Sequence, residues 1–94
     1  MYSYERVLPI GTVVLLKNAD KRLMIIGYQR MSLEGGDKIY DYCGCTYPEG
    51  YVSAEDTAIF DHEQIDRIIT IGLQNPPQIE FAEKLRTFIE ERQK

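Results

Sequence analysis

The sequence predicts an α+β protein: a twisted antiparallel sheet of four to five strands, curled at most towards a small half-barrel, with one amphipathic helix packed on it. Three observations predict this. The first half alternates β-branched runs with glycine-bearing turns, the segment 76–92 repeats apolar residues at helical spacing, and 94 residues supply one core and no second. With 44% apolar and 28% charged residues, and only eleven glycines and prolines, the chain has ordinary globular usage and no low-complexity stretch. It reads as a single domain over 1–94, with 7–72 mainly strands and 76–92 helical.

The elements follow in order. Gly11 precedes Thr12-Val13-Val14-Leu15-Leu16-Lys17, a β-branched run suited to a buried strand. Asn18-Ala19-Asp20-Lys21 carries turn chemistry, and Arg22–Arg30 returns as a second strand. Gly35 and Gly36 adopt positive φ at little cost, so Leu33–Asp37 turns the chain into a third strand, Lys38–Tyr47. Pro48-Glu49-Gly50-Tyr51 breaks that strand and opens a loop, after which Thr57–Phe60 is a short fourth strand. Asp61 followed by Gln64 fits a capped single helical turn feeding a last strand, Arg67–Gly72. Asn75-Pro76-Pro77 then punctuates the chain, and proline suits a first helical turn. At ~100° per residue, Phe81, Ala82, Leu85, Phe88 and Ile89 fall on one arc that needs a surface to cover, and Glu80 with Lys84 forms an i,i+4 pair.

Charge narrows the function classes. Eleven basic against fifteen acidic residues give a net charge of −4, with no local run of Lys or Arg. Such a surface repels nucleic-acid phosphates and anionic lipid, so neither nucleic acid nor membrane is an expected partner. The first residues lack a basic region followed by an apolar stretch, and the longest apolar runs fall far short of the ~20 residues of a spanning helix. Two cysteines are too few for a secreted disulfide framework, and the expected location is cytoplasmic.

Reactive constellations are sparse. Cys43-Gly44-Cys45 offers two soft ligands or a strained redox pair, yet a metal site needs three or four donors and the remaining candidate is the lone His62. Two residues apart on a strand, both thiols point the same way, and packing into the core is the simpler expectation. His62 as a general base would need Cys43, Ser53 or Thr57 beside it, and Asp41 with Glu49 would need a deep cleft to work as a carboxylate pair. No phosphate-binding glycine loop or zinc-protease motif occurs. The expectation is no enzyme, no cofactor and no metal.

Tyrosine is the more informative residue. Seven tyrosines accompany no tryptophan, and Tyr40, Tyr42, Tyr47 and Tyr51 cluster with Pro48, Glu49 and Gly50. Tyrosine brings wide contact area at low entropic cost, as interfaces require, although rings of this kind also cover sheets with the hydroxyl reaching water. By strand alternation Tyr40 and Tyr42 share one face while Asp41, Cys43, Cys45 and Tyr47 share the other. One set belongs to the core, and the partner-binding candidates are Tyr40, Tyr42, Tyr47, Pro48, Glu49 and Tyr51.

The strings Leu8–Lys17, Lys21–Gly27 and Phe60–Asp66, and above all Asp41-Tyr42-Cys43-Gly44-Cys45-Thr46-Tyr47-Pro48-Glu49-Gly50, resemble a small uncharacterised-domain family of Gram-positive bacteria. The resemblance covers roughly residues 8–72. Members of that family are encoded beside LXG toxins of the type VII secretion system, which implies a cytosolic chaperone or adaptor that binds such a toxin before export. It carries no catalytic set to transfer. An immunity protein that neutralises the cognate toxin is the alternative, and a cysteine- or histidine-dependent enzyme is the third. Self-association is left open by these residues.

Overall fold

A computed structural model describes residues 7–92. Five strands, β1 (Val13–Leu16), β2 (Leu23–Met31), β3 (Ile39–Thr46), β4 (Ala58–Phe60) and β5 (Ile65–Thr70), precede one helix, α1 (Pro76–Arg92). The strands form one antiparallel sheet in the order β4-β3-β2-β1-β5. The protein is therefore α+β, an open five-stranded antiparallel sheet with a C-terminal helix.

Connection length shows that the sheet is curled. β4 and β5 occupy opposite edges, yet only residues 61–64 join them, and His62–Gln64 is a single 3-10 turn. The outer strands of a flat five-stranded sheet would lie roughly 19 Å apart. Five Cα steps reach about 17 Å when fully extended, and a 3-10 turn rises only ~2 Å per residue. The edges must bend towards each other. Packing agrees: Phe60 of β4 sits in one buried cluster with Leu8, Val14, Leu23, Ile25 and Tyr42, and Ile65 and Ile68 of β5 pack against the same cluster. The interior of the curl is the core.

Register assigns the two faces. Val14 opposite Leu23, Ile25 opposite Gly44, and Tyr28 opposite Tyr42 opposite Phe60 point inward. Val13, Met24 and Cys45 form an outward row, as do Gly27, Cys43 and Ile59. A bulge between Ile25 and Gly27 shifts the alternation, so Tyr28 rather than Gly27 returns to the core side. Two glycines are needed where backbones meet. A Cβ on Gly72 would stand 2.0 Å from the Ile10 carbonyl oxygen, and one on Gly44 would stand 2.8 Å from that of Met24 and 3.3 Å from the Phe60 ring. The end of β5 is thereby stitched to the start of β1, with the Gly72 N–H donating to the Thr12 hydroxyl at 3.0 Å.

The helix begins where the prolines place it, and Asn75 Oδ1 caps it by accepting the Gln78 N–H at 3.0 Å. Its buried seam is narrower than the predicted arc. Ala82 and Ile89 are buried with Val7, and Leu85 and Tyr28 pack against them, while Phe81 and Phe88 are half exposed. The helix rests on the N-terminal segment and on Tyr28, a small footprint that two to three residues of a helix face fill. Phe81 touches the Tyr28 ring at 5.9 Å between centroids. Glu80 and Lys84 do pair, at 4.0 Å, but both are well exposed and the pair contributes little.

Candidate functional site

The six tyrosine-region candidates do not form one patch. Tyr42 is wholly buried, which corrects its expected role as a contact residue: it is a core side chain with a polar function. Its hydroxyl oxygen accepts the N–H groups of Val7 and Leu8 at 3.1 and 3.2 Å and lies 2.7 Å from His62 Nδ1. Burial pushes this phenol up to about 12, so the oxygen keeps its proton. With two neighbours already donating, that proton is directed at His62 Nδ1. Tyr28 supports the same segment by donating to the Leu8 carbonyl oxygen, and its burial likewise raises it to about 12.

Tyr40 is half-buried near the start of β3, with the Lys38 ammonium 4.8 Å above its ring and the same ammonium 2.8 Å from Asp61. Asp61 also accepts the Asp41 N–H at 3.1 Å, and the Asp41 carboxylate accepts the His62 N–H at 2.9 Å. Gln64 reaches back to the Asp61 N–H at 2.8 Å, the half of the predicted capping box that locks the 61–64 turn across the end of the curl. This end of the molecule is structural.

Tyr47, Pro48 and Glu49 form an exposed turn after β3. The Tyr47 N–H donates to the Arg22 carbonyl at 2.9 Å, and Glu49 pairs with Lys21 at 2.8 Å, which holds its carboxyl below the usual range. Tyr51 lies apart from this turn, on the outward face of the sheet. There it lines a groove of about 620 Å³ whose other walls include Ile26, Arg30, Leu33, Cys43, Glu55 and Ile59. Sheet order explains the shape. β3 runs between β2 and β4, so Cys43 forms the floor, the β2 strand and its hairpin tip form one bank, and residues 51–57 form the other.

This groove is the candidate functional site. Of the tyrosine candidates only Tyr51 belongs to it. Its remaining residues come from β2 and its hairpin tip, β3, β4 and the 51–57 segment, which only the strand order brings together. One sequence signal was available: Met31 and Leu33 stand in an otherwise polar hairpin tip, and they are 51% and 73% exposed.

The reactive candidates are dispersed. Cys45 is buried, Cys43 lies on the groove floor, and the His62 ring meets Tyr42 on the inward side. Both cysteines are free thiols. Burial pushes the Cys43 thiol up, with nearby Arg30 opposing the shift, which keeps it a thiol rather than a thiolate nucleophile at neutral pH. Among the described residues no group of three or more His, Cys, Asp or Glu could hold a metal ion, and no helix is long and apolar enough to cross a membrane.

The described residues make a small α+β protein: a curled antiparallel sheet with a groove on its outward face. The chain belongs to the family described as "Domain of unknown function (DUF4176)", which matches residues 7–81 and so takes in all five strands, the groove and the first turns of α1. No curated protein and no solved structure matches the chain.

Proposed function

We propose that the protein acts without catalysis, by binding another protein through its outward groove, as a cytosolic chaperone or adaptor for an LXG toxin of the type VII secretion system. The observation that carries the binding part is the groove itself: a trough with Ile26 and Ile59 beside its floor, rimmed by Met31, Leu33 and Tyr51, each more than half exposed. Exposed apolar area around a concavity marks recognition surfaces, and tyrosine is among the residues that interfaces favour. The resemblance in the Asp41–Gly50 string and its neighbours supports the identity of the partner.

Co-expression with the neighbouring LXG protein, purified through a tag on one of them, tests this reading. A stable complex is the expected result. Absence of a complex, with toxin solubility and export unchanged when this chain is deleted, overturns it. The net charge of −4 favours a second reading, an immunity protein covering a basic toxin domain. Protection of a susceptible cell by this chain alone selects immunity, whereas a requirement for export selects the chaperone.

A further inference from the structure

We propose that the occupant of the groove is an amphipathic helix of the partner, laid with its apolar ridge over Cys43 and with basic side chains on both flanks. This rests on the protein-binding reading and names the chemistry of the bound segment.

Three observations point to that occupant. The lining is apolar along its centre, where Ile26 and Ile59 stand beside Cys43. Its charges lie on the banks: Glu34 at the hairpin tip on one side and Glu55 in the Ala54–Asp56 turn on the other, with Arg30 leaving a net charge of −1. Among the described residues neither glutamate has an ion-pair partner, so both carboxylates face incoming charge. A helix whose apolar stripe is flanked by Lys or Arg places cations over both banks at once.

The floor of the groove gives an added strand nothing to pair with. Strand addition uses a sheet edge, where backbone groups lack partners. The groove lies over β3, which is bonded on both sides by β2 and β4. Apolar sheet faces are normally covered by a helix. The protein's own helix is engaged elsewhere, on Val7 and Tyr28, which leaves this face to one from outside.

The test uses a 14-residue Leu/Lys peptide of helical period, a Leu/Glu peptide with the same apolar spacing, and a strictly alternating Leu/Lys peptide. Each is titrated into the isotope-labelled full chain and followed by amide NMR shifts. The helical Leu/Lys peptide should perturb Ile26, Cys43, Tyr51 and Ile59. The double variant E34K/E55K should weaken that peptide roughly tenfold and bind the Leu/Glu peptide instead. E83K/E90K, an equal charge change on α1, should leave the affinity within about twofold. Equal weakening by both variants, perturbation confined to other surfaces, or tighter binding of the alternating peptide overturns the proposal. The two readings fail separately: if the toxin partner co-purifies with E34K/E55K as well as with the original chain, protein binding stands and this groove assignment falls.

Discussion

The inward side of the sheet and its outward face along Gly27, Cys43 and Ile59 handle apolar surface in opposite ways. Inside the curl, Leu8, Val14, Ile25, Tyr42 and Phe60 are all fully buried, drawn from β1, β2, β3, β4 and the N-terminal segment. Outside, Ile26 and Ile59 line an open groove, and Leu33 and Tyr51 stand mostly in solvent. The helix side falls between these, with a seam of Ala82 and Ile89 flanked by half-exposed phenylalanines. Under the proposed binding role, stability and recognition are divided between faces. Substitutions inside should unfold the protein, those outside should change what it binds, and those on the helix should do neither strongly.

The sharpest break in that contrast is Phe60→Ala. It empties a fully buried site between the two sheet edges and should cost about 3–5 kcal/mol by chemical denaturation. Ile59→Ala, one residue along and facing the groove, should cost under roughly 1.5 kcal/mol while weakening partner binding. If the two cost the same, the assignment of faces is wrong.

Next comes Gly72→Ala. The atoms nearest its new Cβ are backbone atoms of Ile10 and Thr12, which have no flexible end to yield, so a loss of ~3 kcal/mol is expected, with β1–β5 amide protection falling first.

Alkaline pH probes the inward polar network. Tyr42 has a folded value of about 12 against 10.0 for the free side chain. Its neutral form therefore stabilises the fold fully below pH 10, and that contribution, about 2–3 kcal/mol, is lost as pH rises towards 12. Denaturation midpoints measured across this window should fall, and less steeply in Tyr42→Phe. At neutral pH the same variant should cost about 1–3 kcal/mol by leaving the Val7 and Leu8 N–H groups without their acceptor. In the unaltered protein, nitrogen NMR should report His62 as the Nε2–H tautomer.

The helix should yield locally. Ile89→Ala, on a narrow seam, should cost ~2 kcal/mol and loosen α1 in hydrogen exchange while the sheet stays protected. Co-operative loss of both would show that helix and sheet are one unit.

Much of the fold was legible because the strands are punctuated by glycine and proline and because the 76–92 period is helical. The curl was harder to read: nothing local in residues 61–64 says that two sheet edges must meet there, and only the strand order turns a short connection into curvature. The tyrosine cluster shows where period-two reasoning works and where it stops. Alternation correctly separated Tyr42 from Cys43, but it could not say that Tyr42 would be the buried member with its hydroxyl serving Val7, 35 residues away. The groove was missed for a related reason. A single bulge turned Gly27 outward and Tyr28 inward, and burial beyond a bulge depends on partners that local pattern does not name. The helix arc was read too wide because period reveals which residues align, not how much surface awaits them.

Val7 and Ile89 share one cluster, so segments near the two ends of the described residues are neighbours in space. From Val7 to Ile89 the backbone thus traces a nearly closed ring. Its natural opening could be moved without disturbing a buried contact: new ends cut between Gly35 and Gly36, both exposed, with the old ones joined by a flexible linker, should yield a permuted chain with the same fold.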